Sequence, residues 1–202
     1  MEYISAFFIS FILIFFSELG DKTQLFVLSF SSKIKTLHVL IGVALGTFFS
    51  HGIAILFGSK LGLLENNIIF KLITYITFLF FGIIGFLPEK EKDSQNSFLG
   101  KLTHLSLNYI FIIALCIALG ELGDKTLLAS IGLGIDYPAY KISLILGSIA
   151  GMVGSNTIAI FFGKFIGNKI SEKKIKFLSN IIFISFGLIG LLGLLFNYYN
   201  LF

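Results

Sequence analysis

Six apolar runs, each of about the length that crosses a lipid bilayer, account for most of this 202-residue sequence. They lie at residues 4–30, 37–58, 68–87, 107–132, 141–163 and 177–197. One transmembrane helix needs about 20 mainly apolar residues, and here 56% of the residues are hydrophobic and only 13% are charged. The sequence therefore predicts an all-α polytopic membrane protein with six transmembrane helices, and it excludes a soluble globular domain.

The rest of the composition excludes two further classes of protein. A single cysteine, Cys116, leaves neither a disulfide framework nor the paired spacing of a zinc finger. The formal net charge of +4 comes from lysines between the apolar runs, where cations set the orientation of a membrane protein. We therefore expect the lipid bilayer as a partner and no nucleic acid, and we expect no prosthetic group.

The lysines also indicate which side of the membrane each connection faces. Ten of the fifteen lysines lie in connections that follow the first, third and fifth runs, and three lie in those on the other side. Because positive residues favour the cytoplasmic side, we expect the linker at residues 88–106 in the cytoplasm and both termini outside. Glu2 stands where a signal peptide would be positively charged, so the first run is expected to remain a transmembrane helix.

The two halves of the sequence repeat each other. The string Glu-Leu-Gly-Asp-Lys-Thr at residues 18–23 recurs unchanged at residues 121–126. We therefore expect two three-helix repeats, at residues 1–87 and 107–202. Small residues recur every four positions in the second and fifth runs, at a constant separation of 105 positions, so that Gly42, Gly46, Ser50, Ala54, Gly58 and Gly62 match Gly147, Gly151, Ser155, Ala159, Gly163 and Gly167.

The odd number of helices in each repeat determines how the repeats are related. After three spans the chain has changed sides, so the second repeat must enter the bilayer in the opposite direction. Inverted pairs of this kind are common in secondary transporters, whose binding site lies near the bilayer midplane between the repeats. Ridges of small residues let helix backbones approach closely, and we expect these ridges to pack the repeats together.

The repeated string places charges inside the first helix of each repeat. In a continuous helix, Glu18, Asp21 and Lys22 fall within about 100° of arc on one face, and the second string repeats this arrangement. The two strings together hold four carboxylates and two lysines, a formal charge of −2 that one divalent cation would balance. Burying that charge without compensation would be very costly.

Oxygen atoms dominate the donor groups near these charges. The available hydroxyl and amide side chains are those of Ser17, Thr23, Gln24, Ser50, Thr126, Ser155 and Asn156. Hard oxygen donors suit Ca²⁺, Mn²⁺ or Mg²⁺, and no thiolate or histidine cluster favours zinc or copper. His51 occupies the position matched by Asn156, and we rank it as a supporting residue because a lone helical histidine more often packs or hydrogen-bonds than binds metal.

Buried carboxylates can exchange a metal ion for protons. Desolvation and mutual repulsion favour their protonated form when no cation is bound. Competition between a divalent cation and protons for the same oxygens is the minimal mechanism of an antiporter. We expect the two repeats to rock so that the site is exposed alternately to each side of the membrane.

The two copies of Glu-x-Gly-Asp-Lys-[Ser/Thr], each in the first helix of a three-helix repeat, resemble the family of calcium/manganese–proton antiporters of the Golgi, chloroplasts and bacteria. The resemblance covers essentially the whole chain. It implies that the ligands of the transported Mn²⁺ or Ca²⁺ are Glu18, Asp21, Glu121 and Asp124. It also implies that the site is completed or gated by Lys22, Thr23, Lys125 and Thr126.

The resemblance further implies a cellular role. Without the N-terminal extension and the longer linker of eukaryotic members, the chain is similar to the compact bacterial manganese exporters. We therefore expect a multi-pass protein of the plasma membrane that exports Mn²⁺ against inward-moving protons. We expect a transporter and not an enzyme.

Other interpretations of the same residues stay open. An exporter of a small organic substrate such as an amino acid shares the repeat architecture but needs fewer buried carboxylates. An intramembrane enzyme could use Asp21 and Asp124 as an acid–base dyad. A channel would pass the cation without protons, and a scaffold would use the Glu and Lys of each string as an ion pair. Both Mn²⁺ and Ca²⁺ stay open as the transported ion, because both accept oxygen ligands.

Overall fold

The computed structural model describes residues 2–64, 67–87, 108–169 and 172–199, which form helices joined by short turns. The predicted linker at residues 88–106 lies outside these ranges. In chain order the helices are α1 (Glu2–Glu18), α2 (Lys22–Ser31), α3 (Thr36–Thr47), α4 (Ile53–Gly62), α5 (Asn67–Ile84), α6 (Tyr109–Gly120), α7 (Lys125–Asp136), α8 (Lys141–Lys169) and α9 (Glu172–Tyr199).

Two short turns complete this path. A π-helical turn, Phe48–Gly52, joins α3 directly to α4, and a 3₁₀ turn, Pro138–Tyr140, leads into α8. Within the described ranges, three helical segments are long and apolar enough to cross a membrane, namely Thr36–Gly62, Pro138–Phe161 and Lys174–Phe196. Two shorter apolar helices are Ile68–Ile84 and Tyr109–Gly120. The predicted all-helical membrane protein is confirmed.

The first and fourth apolar runs are each interrupted, although the sequence predicted a continuous helix in both. The interruptions lie between α1 and α2 and between α6 and α7. They contain Gly20, with φ of 78°, and Gly123, with φ of 86°. This left-handed conformation costs glycine little, and it cannot be part of a right-handed helix. The expectation that Glu18, Asp21 and Lys22 share one helix face is therefore wrong, because the helical rotation is not kept through the break.

Helices from one half of the chain pack mainly against helices from the other half. α1 packs against α8 and α3 against α6, while α4 lies on α7 and α5 on α9. α1 and α6 begin the two repeats, whereas α3 and α8 belong to the second span of each repeat. The pairs α1–α8 and α6–α3 are therefore equivalent contacts, each between the first span of one repeat and the second span of the other. Apolar side chains fill the space between the halves, and one of the two core clusters joins Ile14, Val43, Ile113, Ile117 and Met152.

The ridges of small residues lie at these contacts between the halves. A Cβ atom added to Gly42 would lie 2.8 Å from side-chain carbons of Ile113. One added to Gly58 would overlap the carbonyl oxygen of Ile131 on α7. In the second half, one added to Gly151 would lie 2.8 Å from a carbonyl oxygen of α1. The predicted role of the ridges, to let helix backbones of the two halves approach, is confirmed for these positions.

We expect the substitution Gly58→Ala to destabilise the protein, because its Cβ would force the backbones of α4 and α7 apart. Overpacking of this kind costs roughly 1–3 kcal/mol, so the melting temperature in detergent should fall by several degrees. Gly193→Ala is the matched control, since nothing lies within 4 Å of a Cβ at that position. Equal melting temperatures for the two variants would show that the ridge does not determine helix packing.

Candidate metal centre

Each copy of the repeated string forms a helix break that ends in an aspartate N-cap. In the first copy, Asp21 has an extended backbone, and its Oδ2 accepts hydrogen bonds from Thr23 N at 3.2 Å and Thr23 Oγ1 at 3.0 Å. Aspartate is among the preferred residues at this position because its carboxylate satisfies a free backbone N–H. The string thus ends one helix at its glutamate, turns at its glycine and begins the next helix after its aspartate.

The second copy repeats this geometry with one additional contact. Asp124 Oδ2 accepts from Thr126 N at 3.2 Å and from Thr126 Oγ1 at 2.8 Å. The Thr126 hydroxyl is also 3.2 Å from Glu121 Oε2, so it lies between the two carboxylates of its own string. Thr126 is fully buried, and its position ties both acidic side chains to the start of α7.

Carboxylates from the two breaks converge in the protein interior. Ligand oxygens of Glu18, Glu121 and Asp124 all lie within 4.8 Å of one another. Both glutamates are only 1% exposed, whereas Asp124 is half-buried. Oxygens on opposite sides of a bound Ca²⁺ are about 5 Å apart, and those around a smaller cation are closer. The arrangement therefore has the dimensions of a site for one divalent cation.

Most of the glutamate oxygens in this cluster have no hydrogen-bond partner among the described residues. They are both carboxylate oxygens of Glu18 and Oε1 of Glu121. A buried carboxylate without a partner is strongly unfavourable unless it is protonated or pairs with a cation. The cluster is thus suited to holding either protons or a metal ion, and it disfavours the charged state without one.

His51 approaches the cluster from the π-helical turn. It is fully buried, its Nε2 lies 3.8 Å from Glu121 Oε2, and its Nδ1 lies 2.7 Å from Ser130 Oγ. Ser130 was not among the residues predicted from the sequence. It stands four positions after Thr126, one turn along α7 on the same face, and this spacing could have indicated it.

The other predicted oxygen donors mostly bond to backbone groups. Ser50 and Ser155 donate to carbonyl groups of their own helices, each at 3.0 Å. Asn156 Nδ2 also donates within its helix, while its buried Oδ1 has no partner among the described residues. Gln24 Oε1 accepts from Gly20 N at 3.0 Å and so supports the first break. The buried Ser17 hydroxyl likewise has no partner in the described structure.

Two other charged members of the strings, Asp21 and Lys125, are not part of the carboxylate cluster. Asp21 is not within the 4.8 Å group that the other three acids form. Lys125 Nζ is 3.4 Å from Ser179 Oγ and 5.4 Å from the centre of the Phe183 ring, so it points to α9. The structure describes no ion pair between Lys125 and Glu121, which the scaffold interpretation requires. The side chain of Lys22 lies outside the described part.

A buried group of carboxylates between two broken helices defines a class of protein. Ionisable side chains inside a helical membrane protein mark ion pathways, and interrupted helices are typical of the ion sites of secondary transporters. The profile of the family described as "Divalent cation/proton antiporter GDT1" matches residues 6–93 and again residues 109–196. The chain belongs to this family of divalent cation/proton antiporters.

Individual relatives agree with this membership. The chain is 27% identical over 155 residues to the "Putative manganese exporter" of Vibrio cholerae, which is 76% of this chain and 74% of that protein. It is 27% identical over 203 residues to the "GDT1-like protein sll0615" of Synechocystis, 93% of this chain and 97% of that protein. It is 25% identical to the Arabidopsis thaliana "Protein PAM71, chloroplastic" over 90% of this chain, which spans about half (55%) of that protein. No solved structure matches the chain.

We expect the left-handed conformation of Gly123 to be required for metal binding. Nothing lies within 4 Å of a Cβ at this position, so Gly123→Ala adds backbone strain without a clash. The strain costs about 1–2 kcal/mol and should be relieved by shifting the break, which displaces Glu121 and Asp124. Gly123→Asn is the matched control, since asparagine tolerates the left-handed conformation better than alanine does.

The measurement is the rise in melting temperature that Mn²⁺ produces, which reports binding to the folded state. The rise should be smaller for Gly123→Ala than for Gly123→Asn. An equal rise in the two variants would contradict a role for the left-handed conformation.

Proposed function

We propose that the protein exports Mn²⁺ from the cytoplasm in exchange for protons, with Glu18, Asp21, Glu121 and Asp124 as the acids that bind the ion. The observation that supports it most directly is the convergence of Glu18, Glu121 and Asp124, with both glutamates buried and the ligand oxygens of all three within 4.8 Å of one another. Asp21 is included because its string is identical to the one that holds Asp124. Membership of the divalent cation/proton antiporter family supports the class of reaction. The Vibrio cholerae relative, whose name refers to manganese export, supports the choice of Mn²⁺ over Ca²⁺.

We propose a six-span topology made of two inverted repeats, residues 1–87 and 107–202, joined by a cytoplasmic linker at residues 88–106. Two observations support it. The family profile matches each half of the chain separately, and the helices of the halves pack reciprocally, α1 on α8 and α6 on α3. In this topology both termini lie outside the cell and the protein resides in the plasma membrane.

The exchange follows from the charge of the carboxylate cluster. When Mn²⁺ binds, the glutamates must release their protons, because protons and metal compete for the same oxygens. About two protons balance the charge of one divalent cation. Protons that enter from outside then displace the ion after the repeats have rocked to open the site outward, and the protonated cluster returns to the cytoplasmic side.

The geometry favours this function over the alternatives. A cluster built almost entirely of carboxylates suits a cation better than an amino acid, which also needs groups that bind its own carboxylate. The acid–base dyad of an intramembrane enzyme would have no use for the two buried glutamates, whose ligand oxygens lie within 4.8 Å of that of Asp124. We propose that the protein is not an enzyme. Coupling of cation transport to protons distinguishes an antiporter from a channel, which passes the cation without protons.

We expect Glu18→Gln and Glu121→Gln each to lower Mn²⁺ transport at least tenfold, since removal of a charged ligand costs more than loss of a neutral contact. The measurement uses protein in liposomes with a manganese-sensitive dye inside and a pH dye in parallel. Glu2→Gln is the matched control, because Glu2 is an exposed acid at the start of α1. Normal transport by both site variants would exclude the proposed site, and repeating the assay with Ca²⁺ tests the substrate.

We expect the affinity for Mn²⁺ to fall as the pH falls, because protons occupy the carboxylates that the metal requires. Because protons and Mn²⁺ compete for the same oxygens, Mn²⁺ binds most tightly at pH values at which the acids are deprotonated. Titration of the purified protein with Mn²⁺ over a pH series measures this dependence. An affinity that does not change with pH would favour a channel or a site that does not exchange protons.

A further inference from the structure

The imidazole of His51 presents an unpartnered nitrogen to the carboxylate cluster. The residue is fully buried, and its Nε2 lies 3.8 Å from Glu121 Oε2 without a hydrogen-bond partner among the described residues. With metal–ligand bonds of about 2.1 Å, two ligands of one ion lie about 3–4.2 Å apart. The separation of Nε2 and Oε2 is therefore that of two atoms bound to the same cation.

The other ring nitrogen is held by Ser130. His51 Nδ1 lies 2.7 Å from Ser130 Oγ, so Nδ1–H can donate to the hydroxyl and leave the lone pair of Nε2 facing Glu121. Histidines that bind metals almost always donate their second ring nitrogen in this way, and the partner fixes both tautomer and ring orientation. In this tautomer two acceptors face each other, an arrangement that a cation between them would stabilise.

Among the described residues, this arrangement is found in the first half of the protein and not at the matching positions of the second. The positions that match His51 and Ser130 hold Asn156 and Val27, and the Asn156 amide donates to its own helix. His51 also lies in a π-helical turn, Phe48–Gly52, whereas the matching residues 153–157 are regular α-helix. Single π-helical turns inside α-helices occur frequently at functional sites. The first half thus carries a local structure that directs His51 to the cluster.

We propose that His51 is a nitrogen ligand of the transported ion and makes the site selective for a transition-metal dication such as Mn²⁺ over Ca²⁺. The inference rests on the proposed function and adds a determinant of specificity to it. Ca²⁺ takes oxygen ligands, whereas transition-metal dications accept imidazole nitrogen. Replacing one oxygen ligand by nitrogen therefore weakens the binding of Ca²⁺ relative to the binding of Mn²⁺. Ser130 is the positioning residue that orients the ring.

The test compares wild type with His51→Asn in the full-length chain, with Mn²⁺ and Ca²⁺ as the probes. Asparagine is the residue at the matching position of the other half, and its amide oxygen can bind either ion. We expect the ratio of Mn²⁺ to Ca²⁺ affinity to fall about tenfold or more, mainly through loss of Mn²⁺ binding. His38→Asn is the matched control, because it makes the same change at an exposed histidine.

A spectroscopic measurement separates a ligand from a residue that only supports the fold. Pulsed electron paramagnetic resonance of bound Mn²⁺ should show coupling to a histidine nitrogen in wild type and in His38→Asn, and no coupling in His51→Asn. Ser130→Ala keeps the imidazole but removes its support, so it should lower the Mn²⁺ to Ca²⁺ ratio by a smaller factor. Equal losses for the two ions in both variants, or no nitrogen coupling in wild type, would overturn the inference.

The two proposals fail in different ways. If wild type binds neither Mn²⁺ nor Ca²⁺, the proposed function is wrong. If wild type binds both ions through the glutamates and His51→Asn leaves the ratio unchanged, the proposed function stands and the role of His51 is wrong.

Discussion

The repulsion between Glu18 and Glu121 is the constraint on which the rest of the site depends. Both side chains are only 1% exposed, and their ligand oxygens lie within 4.8 Å of each other and of that of Asp124. Two charges at this distance and away from water are unfavourable unless a cation or protons compensate them. The packing of the two halves must therefore hold the acids together against this repulsion. The glycine contacts between α4 and α7, where backbones touch, provide such close packing. In the proposed function, protons and the metal ion alternate in compensating this repulsion.

Identical strings in the two halves give the same backbone but different surroundings. Both breaks contain a glycine of positive φ followed by an aspartate that caps the next helix. Glu121 then gains contacts to Thr126 and His51, whereas Glu18 has no hydrogen-bond partner in the described structure. The repeat thus explains how two acids reach the same place. The differences between the halves, above all His51 and Ser130, make the surroundings of the proposed ion site asymmetric.

Much of this could be predicted from the sequence, because apolar length, glycine spacing and the duplicated string act locally or by simple repetition. The helix breaks could not be predicted with the same rules, since apolar content alone does not distinguish a continuous helix from two short ones. The Asp-Lys-Thr sequence after each glycine is compatible with a cap, and only the backbone shows that it is used as one. The direction of Lys125 depends on Ser179 and Phe183, which lie more than 50 positions away. Ser130 could not be found by comparing the two halves, because the matching position in the first half holds Val27 and such a comparison identifies only residues that are the same in both halves.

If the carboxylates that converge from the two strings hold either protons or a divalent cation, binding of the cation must release protons. The most direct test adds Mn²⁺ to the purified protein in a weakly buffered solution and measures the protons released to a pH indicator. We expect release of about two protons for each Mn²⁺ bound, and loss of this release in a variant that carries both Glu18→Gln and Glu121→Gln. Stoichiometric binding of Mn²⁺ without any release of protons would contradict it.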